Sequence, residues 1–216
     1  MKHVAVFSSC GFRRTRRFAL AGLLALGVSA CSLLPKATPL VRYELPSTQV
    51  AAMTATPLPL TLAVATPRAG QALNNDRIMV MPDGQELNAY KGVRWSDTSP
   101  LLLRQQITLA LRDSGLVNMV TPYMSGVRSD VVLGGDLSAF HVRYIDGAPV
   151  VQVRLDMALI QVATSKPLST KRIAIDQPVD GTGIEQVVQA YGQAVQALNR
   201  QMLDWLAPAL QGVAAR

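Results

Sequence analysis

The chain has 216 residues, of which 49% are hydrophobic, 16% charged and 5% aromatic. This length suits one domain, and the hydrophobic fraction is large enough to build a core, which disfavours a globally disordered chain. The formal net charge of +7 is concentrated at the N-terminus, because residues 1–30 hold five basic residues and no acidic one, leaving 16 basic and 14 acidic residues beyond them. A nearly neutral chain with few aromatic rings is not typical of a nucleic-acid-binding protein.

The first thirty residues are predicted to be a secretory signal peptide. Basic residues at 13–17 precede an apolar run at 18–28, which is shorter than the roughly 18 residues that a membrane span needs. The run ends in Val28-Ser29-Ala30-Cys31, which resembles the lipobox of bacterial lipoproteins. It predicts acylation of Cys31, so that acyl chains hold the mature chain to a membrane without spanning it. The alternative is ordinary cleavage after Ala30 with a chance cysteine.

Residues 31–42 are expected to form the acylated cysteine and an extended tether, since Pro35 and Pro39 interrupt a segment without periodicity. The other cysteine, Cys10, lies in the leader, so the mature chain has no pair of thiols for a disulfide. Ser32 follows Cys31, which resembles the sorting signal of an outer-membrane lipoprotein. We therefore expect the protein at the periplasmic face of the outer membrane of a Gram-negative bacterium.

A single domain is expected at residues 43–210, and its first half is predicted to hold short strands. Alternating apolar residues and turn residues place these strands at 43–45, 60–64, 77–81 and 86–90. A Pro-rich loop at 46–59 is predicted to be mobile. The turn Pro82-Asp83-Gly84 brings the fourth strand back alongside the third as its hairpin partner. We therefore interpret this half as a meander.

A helix follows, with Asp97 or Ser99 as its N-cap, Pro100 in its first turn and Gly115 just past its end. A strand at 116–120 comes next. Three longer strands at 131–144, 150–162 and 168–175 are predicted to form an antiparallel meander, joined by turns at Asp146-Gly147 and Thr164-Ser165.

The closing helix has a strong local signal. Thr182 and Glu185 have the spacing of a capping box, and an apolar stripe continues to Pro208. Its other face carries a neutral polar stripe that is either solvent surface or part of a protein interface, at Gln186, Gln189, Gln193 and Gln196. The predicted fold class is therefore α+β, a single compact domain with a mainly antiparallel but mixed sheet and two packed helices, the longer one C-terminal.

The residues offer little chemistry for catalysis. The mature chain has one histidine, His141, no free thiol and no phosphate-binding G-x-x-x-x-G-K-[ST] sequence. We predict no catalytic site, no cofactor and no metal site, and we interpret His141 as structural. A periplasmic enzyme is the weakest alternative, and it would need a deep polar pocket around His141.

One cluster of residues could serve either the fold or a partner: Arg77, Tyr90, Arg94, Trp95 and Asp97. In the structural interpretation Arg94 pairs with Asp97 at the start of the helix and Trp95 is buried. In the alternative the cluster is a contact patch, because Trp, Tyr and Arg are enriched in binding hot spots.

These residues and others resemble the ABC-type transport auxiliary lipoproteins (PqiC-type). The resemblance rests on Tyr43-x-Leu45, Asp76-Arg77-Ile78, Tyr90-x-Gly92-x-Arg94-Trp95-x-Asp97 and Leu133-x-Gly135-Asp136-Leu137. The run from Tyr90 to Asp97 is the most specific of these motifs.

The resemblance implies a periplasmic domain that works beside an MCE-type ABC system for lipid transport, whose MCE-domain protein, permease and ATPase are separate chains. Its implied task is protein–protein docking at the outer membrane, which helps phospholipid or other hydrophobic cargo to cross the periplasm, without catalysis. The alternative is a structural or assembly lipoprotein of another outer-membrane complex.

Overall fold

The computed structural model describes residues 39–47, 49–53, 56–82 and 84–215. The predicted signal peptide and Cys31 lie outside these residues, as does Asp83 of the predicted turn. Within them the chain forms ten strands and two helices: β1 Val41–Tyr43, β2 Leu58–Val64, β3 Arg68–Ala69, β4 Met79–Met81, β5 Asn88–Ala89, β6 Val93–Trp95, α1 Ser99–Ser114, β7 Val117–Pro122, β8 Val131–Ile145, β9 Ala148–Gln161, β10 Lys166–Pro178 and α2 Ile184–Ala214.

The three long strands β8, β9 and β10 form the predicted antiparallel meander. Asp146 and Gly147 connect β8 to β9 with φ angles of 51° and 78°, the left-handed geometry that a two-residue hairpin turn requires. In β9, every second residue from Val151 to Leu159 is buried, and the residues between them are half-buried. The alternation arises because successive side chains of a strand point to opposite faces, and one face of this sheet is covered.

The prediction of a meander in the first half was wrong. On one edge β8 pairs with β9 along its full length, whereas its other edge carries β2, β3 and β4 in succession, all parallel to it. β7 extends the sheet parallel to β2, and β1 pairs with β6 in a separate parallel pair. β4 and β5 do form the expected antiparallel pair.

The two helices pack on the buried face of the sheet, and neither begins as predicted. Thr98, rather than Asp97 or Ser99, is the N-cap of α1, and Gly183 is the N-cap of α2, in both cases without a side-chain cap hydrogen bond. The capping box of Thr182 and Glu185 is therefore not formed. Gly115 does end α1, with a φ angle of 64°.

The helix α2 is longer than predicted, because it continues through Pro208 to Ala214. Leu206 and Leu210, on either side of this proline, are both 0% exposed. Their burial offsets the local cost of a proline, which lacks an N–H group and crowds the preceding turn. The four glutamines of the predicted polar stripe are exposed.

The segment between β1 and β2 runs over the helices and is attached to them at several points. Leu45 is 4% exposed, and the side chain of Gln106 donates to its carbonyl over 3.2 Å. Farther along, the N–H groups of Met53 and Leu58 donate to the carbonyls of Ser114 and Leu116, each over 2.9 Å. The described part of the loop predicted to be mobile is therefore held at Met53 to the last residue of α1, and the start of β2 is held at Leu58 to Leu116.

The observed architecture confirms the predicted class. Two helices and a curled mixed sheet make an α+β unit that begins at Leu40, with the longer helix at the C-terminus. Among the described residues no helix has both the length and the apolar character needed to cross a bilayer.

Candidate functional site

The sequence motifs meet at one place in the fold, where β1, β6 and the residues before β4 come together. β1 lies parallel to β6, with Tyr43 opposite Trp95. Two short backbone hydrogen bonds of 2.7 Å fix this contact, from Trp95 to the carbonyl of Asp76 and from Ser96 to the carbonyl of Tyr43. We call the group formed by Arg42, Asp76, Arg94 and Trp95 the motif junction.

Asp76 is the charged centre of the motif junction. Its carboxylate lies 3.2 Å from Arg42 Nη1 and 3.6 Å from Arg94 Nε. Arg42 Nη1 also donates to the carbonyl of Trp95 over 3.1 Å. The ion pair predicted between Arg94 and Asp97 is therefore replaced by one with Asp76, while Asp97 Oδ1 accepts a hydrogen bond from the Thr98 N–H group.

Trp95 supplies the apolar side of the motif junction and is 0% exposed. Its ring packs edge-on against Tyr191 of α2, with centroids 5.1 Å apart, and lies 6.2 Å from the ring of Phe140 in β8. Phe140 and Tyr191 are 4.7 Å apart. Because its ring is enclosed, Trp95 links β6, β8 and α2 and presents no side-chain surface to a partner.

The remaining residues of the predicted cluster differ in their exposure. Tyr90 is half-buried, and burial, together with the nearby Tyr144, raises its pKa to about 12. Burial also raises the pKa of the enclosed Tyr191, so both phenols are neutral at physiological pH. Arg77 is exposed, and of the five residues its side chain is the most available to another molecule.

His141 does not lie in a deep polar pocket. It borders a cavity of about 280 Å³, lined mainly by apolar side chains. Burial lowers the pKa of His141, and the positive charges of Arg143 and Arg154 add to this effect, while a hydrogen bond with Gln152 opposes it. The imidazole is therefore neutral at pH 7, and His141 lies inside the sheet, opposite Met79 of β4 on one side and Gln152 of β9 on the other.

The outer face of the sheet is polar and carries an open groove of about 740 Å³ beside Gly134 and Gly135. Ion pairs flank the groove, with Arg68 contacting Asp136 and Arg172 contacting Asp156. Farther along, Arg154 holds Asp176 with two contacts of 2.7 Å. Every charge named here has an opposite partner, and among the described residues no group of three or more His, Cys, Asp or Glu could hold a metal ion.

Sequence reasoning missed two contributors to this region. Arg42 lies beside the Tyr43 motif and carried no local signal of its pairing with Asp76, 34 residues away. Tyr191 has the helical spacing of the apolar residues of α2, but its contact with Trp95 depends on how the helix lies across the sheet. Neither pairing follows from local periodicity.

Residues 43–203 match the model of a protein family that is described as the ABC-type transport auxiliary lipoprotein component. This range includes the whole motif junction except Arg42. The chain belongs to this family.

Solved structures share the fold of this auxiliary lipoprotein. A protein from Xanthomonas campestris is 23% identical, with a TM-score of 0.74 over 82% of this chain and 99% of that one. A second protein, described only as uncharacterized, is 16% identical, with a TM-score of 0.62 over 78% of this chain and 99% of that one. Among curated proteins no match was found.

Proposed function

We propose that this protein is the membrane-anchored periplasmic auxiliary lipoprotein of an MCE-type ABC system for lipid transport, and that it acts by docking at the outer membrane. The observation that carries the proposal is the family match, which begins at Tyr43, shortly after the lipobox cysteine Cys31. An acylated Cys31, a short tether and one folded domain together make a protein that holds a position beside a membrane.

The described surface also supports a docking role. The outer face of the sheet offers an open groove with paired charges, and the residues around His141 form an apolar cavity. An exposed Arg77 beside the motif junction is a suitable contact for a carboxylate of a partner. We propose Arg77 as a partner-contact residue, with Tyr90, Arg94, Trp95 and Asp97 supporting its position.

The test is recovery of partners from cell envelopes with a C-terminally tagged full-length chain. We expect the MCE-domain protein and the ABC permease and ATPase to be recovered with it. Cys31→Ser removes the acyl acceptor, so this variant should lose the lipid modification, which mass spectrometry of the N-terminal peptide measures directly. Recovery only of β-barrel assembly components would instead support a structural lipoprotein of another outer-membrane complex.

A charge reversal tests the docking residue. Arg77→Glu should lower recovery of the partners while leaving the fold intact, because the side chain is exposed. Lys91→Glu is the matched control, since Lys91 is also an exposed cation close in sequence to the same motif. If the partners are recovered equally well with Arg77→Glu and with Lys91→Glu, Arg77 is not a contact residue and the partner surface lies elsewhere.

A further inference from the structure

The outer face of the large sheet changes from charged to apolar along the direction of its strands. In the register of β3, β8, β9 and β10, four charged residues lie side by side on neighbouring strands: Arg68, Asp136, Asp156 and Arg172. We call these four residues the charged row. All of them line the open groove of about 740 Å³, so the row forms one end of that groove.

The floor of the groove consists of short side chains two positions farther along the strands. Gly134 of β8 is opposite Ala158 of β9, which is opposite Thr170 of β10. Apart from its chain neighbours, the nearest atom to a Cβ placed at Gly134 would be the Cβ of Ala65, 4.0 Å away. Because neighbouring strands carry short side chains at the same level, the face is hollow at this point.

Beyond the floor the outer face becomes apolar. Val132 of β8 is opposite Ile160 of β9, which is opposite Pro167 of β10, and we call these three residues the apolar row. Four residues of β8 separate Val132 from Asp136, which is about 13 Å along a strand. The face therefore offers a charged end, a hollow centre and an apolar end in succession.

The charged row has an acid pair at its centre and a base at each end. Asp136 and Asp156 are directly opposite each other, a position in which like charges repel. Arg68 contacts Asp136 through Nη2 alone, over 2.8 Å, whereas Arg172 contacts Asp156 through both Nε and Nη2. The side chain of Arg68 is 83% exposed, so it keeps further N–H groups for an anion. The row is thus complementary to a ligand that carries a cation next to an anion.

We propose that this groove binds a phospholipid with a zwitterionic headgroup, in which an ammonium group follows the phosphate. The ammonium lies between Asp136 and Asp156, where it offsets their repulsion, and the phosphate accepts hydrogen bonds from Arg68. The glycerol and the first part of the acyl chains lie over the hollow floor and reach the apolar row, which removes apolar surface from water. The inference rests on the proposed function, because it takes lipid as the cargo of the system that the protein serves. It adds that the protein itself contacts the cargo.

The test is photo-crosslinking of the mature full-length protein in mixed micelles of a non-ionic detergent and lipid. The probe is a phosphatidylethanolamine with a diazirine in one acyl chain, and mass spectrometry locates the crosslinks. We expect them in the parts of β8 and β9 that form the floor and the apolar row. A phosphatidylglycerol with the same diazirine chain has no ammonium and should give about tenfold fewer crosslinks, the effect of losing one hydrogen bond between charged groups.

Variants of the floor test the groove without changing its charges. Gly134→Val fills the hollow centre, and valine favours a strand, so the fold should be kept, which the thermal midpoint measures. Ala158→Val fills the same space from β9. Ala174→Val is the matched control, because Ala174 is exposed on the outer face of β10, opposite Arg154 and outside the groove. Both floor variants should lower the crosslink yield about tenfold, and the control should leave it unchanged.

Variants of the charged row test the two halves of the headgroup separately. Arg68→Gln should lower the yield with both lipids, because both carry a phosphate. Asp136→Asn should lower the yield with phosphatidylethanolamine only, because only that lipid carries an ammonium group.

Two results would overturn the proposal. Folded Gly134→Val and Ala158→Val with the crosslink yield of the unchanged protein would show that lipid does not lie in the groove. Equal yields from the two lipids would show that the charged row does not select a zwitterionic headgroup. The proposed function fails on a different result, since the lipid site stands if the floor variants lose the crosslinks while envelope preparations give no transport partners.

Discussion

The indole of Trp95 stands edge-on to the phenol ring of Tyr191, with an angle of 87° between the two planes. This arrangement directs the positive edge of one ring at the negative face of the other, which adds to the stabilisation that burial provides. It also joins the most specific sequence motif of the chain to the N-terminal third of the longer helix, α2.

Truncation of Trp95 should therefore destabilise the whole unit. We expect Trp95→Ala to lower the free energy of unfolding by about 3–5 kcal/mol, because it leaves a cavity between β6, β8 and α2. Urea denaturation at equilibrium measures this loss. Arg77→Ala, from the same cluster, is the control and should stay within about 0.5 kcal/mol of the unchanged protein, because Arg77 is exposed. A similarly small loss for Trp95→Ala would contradict a role in the core.

Gly192 is expected to resist replacement even by alanine. A Cβ atom at this position would lie 2.9 Å from the Cβ of Pro46, so a rigid ring would have to move away from α2. We expect Gly192→Ala to lower the thermal midpoint, although alanine favours a helix by about 1 kcal/mol over glycine. Gly212→Ala in the same helix is the control, because a Cβ there meets no atom within 4 Å, and it should raise the midpoint or leave it unchanged. Adding Pro46→Gly to Gly192→Ala should restore part of the loss.

Asp176 should make stability depend on pH in the acidic range. Burial alone would raise its pKa, but hydrogen bonds from Arg154 and Gln152 and the charge of Arg154 outweigh burial, so the pKa lies below its usual value. A carboxyl with a lower pKa in the folded state adds stability that is complete above its unfolded pKa of about 4 and is lost as pH falls through the folded pKa.

The experiment compares the thermal midpoints of the unchanged protein and Asp176→Asn between pH 7 and pH 2. The difference should be constant above about pH 5 and should shrink below about pH 4. Asp180→Asn is the matched control, because Asp180 is an exposed carboxyl shortly after β10. A difference that grows as the pH falls would reverse the sign of the effect and refute the assignment.

Met124, in the loop between β7 and β8, offers a test of backbone strain. Met124→Gly should raise the free energy of unfolding by about 0.5–1 kcal/mol, because glycine adopts a positive φ angle without steric cost and an 88% exposed side chain leaves no cavity. Val127→Gly is the control and should not stabilise the protein, since Val127 is not among the residues with positive φ. Chemical denaturation of both variants measures the difference, and a destabilised Met124→Gly would show that the turn is not strained.

The parts of the fold that follow from the sequence are those with local signals. The β8–β9–β10 meander follows from alternating side chains and the Asp146-Gly147 turn, since both the strands and their connections are short-range features. The parallel pairing of β2, β3 and β4 with β8 could not be predicted in this way, because it joins segments about 70 residues apart and leaves no periodic trace.

The motif junction shows the same contrast. Burial of Trp95 was one of two interpretations of its motif, whereas its neighbours Phe140 and Tyr191 are brought to it by the packing of the sheet and the helix.

The boundaries of α2 depart from their local signals in two places. A capping box was expected from Thr182, yet the chain begins α2 after Gly183, where the side chain of Gln186 folds back over the glycine. A helix end was expected at Pro208, yet burial of Leu206 and Leu210 carries α2 beyond it. At Pro208 the packing of α2 on the sheet outweighs a local preference of about 3 kcal/mol, whereas at Thr182 the side chain of Gln186, in the same helix, lies over Gly183 and the capping box does not form.

The arrangement of β8 sets an order in which the protein can fold. β8 pairs with β9, its neighbour in the sequence, through a short turn. In contrast, β2, β3 and β4 can pair only when β8 is present. Trp95 likewise packs against Phe140 and Tyr191, which both belong to the second half of the chain. A chain synthesised from its N-terminus therefore holds β2, β3, β4 and Trp95 without their partners until β8 and α2 have been made.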